Sequence, residues 1–445
     1  MFLPARRQLA FVLVYFAASG TSIASEGDPL RGLVDNATYE LSAFSSYFPM
    51  TVARDRTDND SFEAWSRLMA ITQTDLSDSL IFRIKMFGIF STMAGDHHGF
   101  LTQPNQSDTQ ARYADFARLA LTYNAPNFSI VAGKSELSTG VGTLYSPSDR
   151  YETSYGTTPM HAFKTGVWQG RLDYPVGDDT ISVAILPYEN RSTIPGFHSR
   201  WNGSGNSSSF LFNNLTLPAG TNVTETFHDS TPENWGYLAK YKASRPGYDF
   251  FVLTHHGPSA YPVAYQDAAL APVIIVFPIV RTLAAGAAVT IDRWELHGET
   301  SYQDTPHNRD QDFGKYLVGF SYRDTDLANA LGWEEIQPLV EYAGEFIAND
   351  RRDSRYLATS AGARPYRDAI LARIEAKMSE RWRWLIGGSF NFVDRDSSLA
   401  AGVEYKLNDN VSFRFDARHF SGLNDTQFGR WKRNDNVELG VQWKF

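Results

Sequence analysis

Through most of the chain, apolar and polar residues alternate with a period of two, in runs of about nine to sixteen residues that end in turns. In 381–394, Trp382, Trp384, Ile386, Gly388, Phe390 and Phe392 alternate with Arg383, Leu385, Gly387, Ser389 and Asn391. In 410–420, Val411, Phe413, Phe415 and Ala417 alternate with Ser412, Arg414, Asp416 and Arg418. The last run, "NVELGVQWKF", sets Val437, Leu439, Val441, Trp443 and Phe445 on one face. The pattern predicts strands at 38–51, 62–76, 79–93, 111–124, 127–137, 160–174, 179–189, 234–245, 248–257, 272–284, 287–302, 313–324, 333–346, 365–378, 381–394, 398–407, 410–420 and 434–445.

The links between these runs alternate in length. Short ones fall at 76–78, 125–127, 176–179, 245–247, "LAAGAA" at 283–288, 379–381 and 407–410. Long ones fall between them, at 94–110, 138–159, 190–233, 258–271, 303–312, 347–364 and 421–433; the links at 325–332 and 395–397 blur the rule. An even number of antiparallel strands with short turns on one rim and long loops on the other is the pattern of a transmembrane up-and-down β-barrel of about eighteen strands. A soluble sandwich or propeller predicts no such alternation. Since a barrel this wide encloses water, its charged faces are expected to point inward and its apolar faces outward to lipid. Tyr342, Phe346, Tyr405 and Trp443, near strand ends, suit aromatic girdles.

Composition narrows the picture. No apolar run beyond the N-terminus approaches the length of a membrane-spanning helix, and "APVIIVFPIV" at 271–280 is short and holds two prolines. Residues 1–24 read as a secretory signal peptide, with Arg6 and Arg7 ahead of an apolar stretch and cleavage near Ala24. That leaves a short periplasmic segment at 25–36 and a barrel over 37–445. The chain has no cysteine and a formal charge of −9; losing Arg6 and Arg7 lowers the basic count from 41 to 39 against 50 acidic residues, which excludes a nucleic-acid binder.

Candidate chemistry is sparse. The pairs His97–His98 (after Asp96) and His255–His256 cannot converge on one ion from adjacent positions of an extended chain, so solvated loop histidines are expected and no metal site. "NGSGNSSS" at 202–208 lacks a nucleophile-elbow spacing, and the N-x-[ST] matches at Asn206, Asn214 and Asn222 carry no weight in a bacterial envelope protein. No cofactor-binding signature and no catalytic constellation is present, so a non-enzymatic protein is expected.

The final strand, with its alternating apolar positions and terminal Phe445, resembles the signal by which the outer-membrane assembly machinery recognises its clients. The stretch "GKSELSTGVGTLYSPSDRYETS" at 133–154 resembles the corresponding region of porin-like barrels of the alginate-export type through Gly133, Lys134, Gly140, Gly142, Pro147 and Asp149. By the parity of the strands it is expected to be an extracellular loop. The expected localisation is the Gram-negative outer membrane, in contact with lipid and lipopolysaccharide.

The expected function is passage of small polar, anionic solutes. Two alternatives stand beside it, an export pore for an anionic polysaccharide and a plugged structural or adhesive barrel; the second draws on Val273, Ile275, Phe277 and Ile279, which would leave a strand apolar on both faces. The longest loop, 190–233, is expected to fold over or into the mouth and set the constriction. Lumen-facing basic residues are expected at Arg67, Arg83, Lys85, Arg112, Arg118 and Arg171 on one arc, and at Arg367, Arg373, Lys377, Arg383, Arg414 and Arg418 on another. The acidic lumen set is Glu295, Glu299, Glu335, Glu341, Glu345, Glu375 and Glu404. Rows of arginine in a water-filled pore would either pair with these carboxylates or guide oxyanions.

Overall fold

A computed structural model describes residues 29–52, 60–92, 97–101, 111–156, 158–189, 191–196, 199–203, 211–212, 222–268, 271–306, 309–350, 355–358 and 360–445. The expected leader at 1–24 lies outside them, and of the segment at 25–36 the described part carries a helix, α1, Pro29–Asp35.

Eighteen antiparallel strands form the wall: β1 Thr38–Tyr47, β2 Phe62–Ser77, β3 Leu80–Ser91, β4 Ala111–Ala125, β5 Phe128–Ser135, β6 Val167–Val176, β7 Asp179–Leu186, β8 Gly236–Arg245 and β9 Tyr248–Pro258. The second half comprises β10 Ile279–Ile291, β11 Trp294–Asp304, β12 Asp312–Tyr322, β13 Glu335–Asn349, β14 Asp368–Lys377, β15 Trp382–Asn391, β16 Asp396–Lys406, β17 Val411–Ser421 and β18 Asn436–Lys444. Each pairs with its neighbours in the chain, and β1 pairs with β18 over Glu40↔Lys444 to Tyr47↔Val437, closing the sheet. At the foot of the seam Tyr39 and Phe445 exchange backbone hydrogen bonds of 2.9 and 3.0 Å, and their rings stack at 5.6 Å. Closure leaves no edge, so every strand finds backbone partners on both sides.

The alternation sorts the side chains as its period demands. Outward rows such as Trp382, Trp384, Ile386 and Phe390 on β15, or Val318 and Phe320 on β12, stay exposed. Inward rows carry the polar groups, among them His297, Glu299 and Ser301 on β11. Aromatic pairs gather at the short-turn rim, with Trp294 against Tyr322 at 4.5 Å, Trp382 against Tyr405 at 4.7 Å and Tyr123 against Phe128 at 6.2 Å. Among the described residues no helix is long and apolar enough to cross a membrane. The middling link between β12 and β13 holds a second helix, α2, Thr325–Leu331, capped by Asp324 and ended by Gly332 at φ +72.

The sequence pattern misplaces one hairpin. "LAAGAA" is no turn but the middle of β10, and the turn lies at Asp292, whose φ is +53. Gly286 is small because the lumen is crowded there: a Cβ would meet Phe251 Cε1 at 2.5 Å and Val141 Cγ2 at 3.1 Å. The apolar run ahead of it leaves the wall altogether. Val273–Val276 pairs with Val223–Glu225 and Val263–Tyr265, and the latter with Tyr356–Ala358, in a separate four-stranded sheet built from three long loops.

This assignment of faces is directly testable. Ile386→Arg, in mid-strand on the outer face, is expected to lower stability in lipid bilayers by about 2–4 kcal/mol, whereas Leu385→Arg, its lumen-facing neighbour, should cost much less. Equilibrium unfolding of the two variants in lipid vesicles measures the difference.

Candidate functional site

The connection between β5 and β6, residues 136–166, does not stay outside as parity alone implied. It turns back into the lumen. Gly133, at φ +121, kinks the end of β5, and buried Lys134 beside it pairs with buried Asp115 at 3.0 Å. Leu137 then enters an apolar patch of inward-facing wall residues that includes Leu186, Leu238, Leu253 and Ala284.

Two wall carboxylates hold the stretch from Val141 to Ser148. Glu299 on β11 accepts hydrogen bonds from the backbone N–H groups of Val141, Gly142 and Ser148 at 2.8, 3.1 and 2.6 Å, and from Ser146 Oγ at 2.7 Å. Glu341 on β13 accepts from the N–H groups of Thr143, Leu144 and Tyr145 at 2.7, 3.0 and 3.0 Å. His297 Nε2 lies 2.9 Å from Glu341 Oε1. Both carboxylates are almost wholly shielded from solvent, Glu341 at 0 % and Glu299 at 4 % exposure. Charge-assisted bonds in such surroundings are strong, and they satisfy amides that an irregular buried segment would otherwise orphan. Gly142 permits the approach, because a Cβ there would run into the carbonyl of Tyr145.

The far end of the segment is fixed on the opposite wall. Residues Thr153–Tyr155 and Phe163–Thr165 pair as a short hairpin. His161 stacks on Phe44 at 3.9 Å and on Trp65 at 5.3 Å, with its Nε2 2.8 Å from Glu438 Oε2 of β18. Residues 136–166 therefore form a strap across the lumen, from β11 and β13 to β18 and β1.

The described part of the 190–233 loop also folds inward. Arg200, 1 % exposed, donates to Asn434 Oδ1 at 3.1 Å and to the Met50 carbonyl at 2.7 Å, with its guanidinium 3.8 Å from the Phe48 ring centroid. Trp201 packs against Phe48, Phe420 and Trp431. The described part of this loop thus folds into the barrel, as its length led to expect, while residues 136–166 cross the lumen as well, which had not been expected.

Between the strap and the four-stranded sheet lies a cavity of about 470 Å³, lined by Arg150, Lys164, Glu189, Arg191, Tyr261 and Arg430 among others. Its carboxylates are engaged: Asp149 and Glu152 by Lys164, and Glu189 by Arg191 at 2.6 Å and His228 at 3.0 Å. Burial pushes the Glu189 carboxyl up, but the His228 hydrogen bond and the Arg191 guanidinium outweigh it and hold the group below the usual carboxylate range. Burial pushes Arg430 down to about 10 against the pull of Asp396, so it stays charged at neutral pH. The Tyr261 hydroxyl is pushed up to about 12, chiefly by burial.

Among the described residues most of the sequence-predicted lumen charges have an ion-pair partner, but only Arg383, with Glu375 and Glu404, finds it within the predicted set. Along β14 to β18, Arg383 bridges Glu375 at 3.2 Å and Glu404, Arg414 meets Asp416 at 2.6 Å, and Arg418 meets Asp416 and Glu438 at 3.4 and 3.0 Å. Arg367 pairs with Asp394, Lys377 with Glu334 at 2.5 Å, Arg67 with Glu40 at 3.5 Å, Arg118 with Glu136 and Arg171 with Asp173 at 3.0 Å. Glu345 is shared by Arg364 at 2.8 Å and Lys315 at 3.6 Å, Glu335 meets Arg323 at 3.4 Å, and Glu295 lies 3.7 Å from His297. Arg83 donates to Gln73 Oε1 and Thr122 Oγ1; like Lys85 and Arg373, it makes no ion pair among the described residues. The side chain of Arg112 lies outside them.

Other motifs resolve plainly. His255 and His256 are not the solvated loop histidines expected: both lie on β9, where period two turns His255 into the lumen, buried against Tyr151 at 4.5 Å between ring centroids, and His256 outward. The side chains of His97 and His98, on a short strand, fall outside the described residues, as do Asp96, Asn206 and Asn214. Among the described residues no cluster of metal-ligating side chains occurs. Arg150, Arg200 and Arg364 were not singled out by alternation, because they lie in loops where period two has no meaning.

A closed, inside-out barrel is thereby established from strand pairing and polarity. The chain has the outer-membrane type of barrel fold. No protein-family model and no curated protein matches it. Solved structures similar to it include OccAB4 of Acinetobacter baumannii, 8 % identical over 92 % of this chain and 98 % of that one, with a TM-score of 0.48. A loop-deletion mutant of OmpT, an outer membrane protein of Vibrio cholerae, is 10 % identical over 92 % and 98 %, at 0.40. A mutant of the Rh. blastica porin is 11 % identical over 92 % and 99 %, at 0.38.

The strap's dependence on two carboxylates yields a test. Each buried amide left without an acceptor costs about 1–3 kcal/mol, so Glu341→Ala, which strands three, should release the strap. Limited proteolysis is expected to cut within 138–149 in the variant and not in the parent protein.

Proposed function

We propose that the protein is an outer-membrane channel through which small polar solutes diffuse, with preference for anions, and that it performs no catalysis. The observation that carries this reading is a lumen crossed by the strap, in which three wall cations make no ion pair among the described residues. Arg83, Lys85 and Arg373 make no ion pair among the described residues, while most of the arginines on β14 to β18 are matched by carboxylates. In a water-filled pore with low-dielectric walls, a few uncompensated cations bias the whole lumen, because field lines are confined to it. The paired arginines then serve as a rigid polar wall along which oxyanions exchange one hydrogen-bond partner for another.

Lipid and lipopolysaccharide surround the outward faces in this reading. The leader at 1–24 is removed on export, and the closing strand with Phe445 presents the barrel to the assembly machinery. A second reading, a plugged barrel, draws support from the four-stranded sheet built from the loops beside the cavity.

Planar-bilayer recording separates the two. Discrete steps of conductance with a reversal potential favouring anions in a KCl gradient are expected. The double variant Arg83→Glu with Arg373→Glu should shift that potential toward cations. A silent membrane would favour the plug, and cation preference in the parent protein would overturn the anionic one.

A further inference from the structure

One cation in the cavity wall pairs with no carboxylate among the described residues. Arg150 sits at the end of the strap segment held by Glu299, its guanidinium carbon 4.6 Å from the ring centroid of Tyr145 and 5.6 Å from that of Tyr261. Its Nε and Nη2 atoms and the hydroxyls of Tyr145 and Tyr261 are buried and complete no hydrogen bond of good geometry, although Tyr145 lies within reach of both Arg150 and Tyr261. Buried donors left unmatched in this way are rare in folded proteins and call for a ligand, ion or water.

The nearby carboxylates are already committed. Asp149, next in the chain, accepts from the Thr139 N–H at 3.1 Å and pairs with Lys164. Glu345 answers both Arg364 and Lys315, and the Lys315 ammonium lies 5.5 Å from the same Tyr145 ring. Two cations thus already share Glu345 beside the Tyr145 ring on which Arg150 also lies. A charge so placed is costly without a counter-ion, and the cavity on which Arg150 and Tyr261 both open is the route by which one can arrive.

We propose that Arg150, together with the Tyr261 and Tyr145 hydroxyls, is an oxyanion-binding site in the wall of the lumenal cavity. Nε and Nη2 form one edge of the guanidinium, with the spacing of two oxygens of a carboxylate or phosphate, and no hydrogen bond of good geometry anchors that edge, so it is free to turn toward a ligand. The tyrosine hydroxyls can donate to an anion held at the guanidinium edge, while the ring faces, which repel anions, are turned to the Arg150 cation. The shared chemistry has two sources, the carboxylate of an organic solute passing through the cavity or free inorganic phosphate. The aromatic faces of Tyr151, Tyr261 and Trp431 around the cavity suit a carboxylate carried on a flat apolar body. The proposal rests on the channel reading only for how the ligand reaches the site; binding itself requires no permeation.

The test is titration calorimetry on the purified full-length barrel in detergent, at constant ionic strength, with benzoate, inorganic phosphate and neutral benzamide as probes. Saturable binding of benzoate, weakened on the order of tenfold or more in Arg150→Gln and less in Tyr261→Phe, with no binding of benzamide, is expected. Binding of phosphate with the same dependence on Arg150 would make the ligand an inorganic anion; binding of benzoate alone would make it a solute carboxylate. Arg150→Lys keeps the charge and removes the fork, so it should recover little of the affinity. Circular dichroism checks that each variant keeps the barrel, and if Arg150→Gln does not fold, Arg150→Lys and Tyr261→Phe decide. Failure of both anions to bind, or equal affinity in the variants, overturns the site. Conductance with binding indifferent to Arg150 would remove the site and leave the channel; binding without conductance would remove the channel and leave the site.

Discussion

In hydrocarbon there is no water to take up a stray amide or carbonyl, and the rest of this molecule answers to that constraint. It obliges the sheet to close, which β1 and β18 accomplish from Glu40 to Tyr47, with Tyr39 and Phe445 tying off the foot of the seam. Closure at this strand number makes a cylinder too wide to be filled by wall side chains alone. The polar rows must then face inward, and an interior lined with charges has to be filled with water, with counter-charges or with the protein's own loops. Counter-charges and loops are both used here.

The loops come in because carboxylates are waiting for them. Glu299 and Glu341 lie on alternate strands of the wall, and between them they accept the amides of residues 141–145 and 148. An irregular backbone in a lumen is tolerable only where its polar groups are met. His161 provides the second anchor, wedged between Phe44 and Trp65 and pointed at Glu438, so the strap is held at both walls and cannot swing as a flap hinged at one end. The apolar patch around Leu253 and Ala284 supplies the remaining contact.

The same economy explains the arginines. On β15 to β18 an inward arginine on one strand meets a carboxylate on its own or the next strand, as in Arg383 with Glu404 and Arg418 with Glu438. Such pairs stiffen the wall and cancel most of the field that the row would otherwise project. What remains without an ion pair among the described residues is a small set of cations scattered at other places, Arg150 among them.

The sequence by itself determined the strands and their faces, because period two is a local property: a residue's side of the sheet depends only on its neighbours in the same strand. Arg383, Arg414, Glu299 and Glu341 could be assigned to the lumen on that basis. Local reasoning also carried the rims, since link length distinguishes turn from loop without reference to anything distant. It failed at Gly286, whose smallness answers to Phe251 and Val141 rather than to a turn, and at Val273–Val276, whose partners come from other loops. Only the tertiary structure decided that 136–166 crosses the lumen, since its anchors stand some 150 to 280 residues further along the chain at Glu299, Glu341 and Glu438. Alternation has nothing to say about a segment with no regular backbone. For the same reason the isolation of Arg150 could be seen only once every nearby carboxylate had been matched to its partner in space.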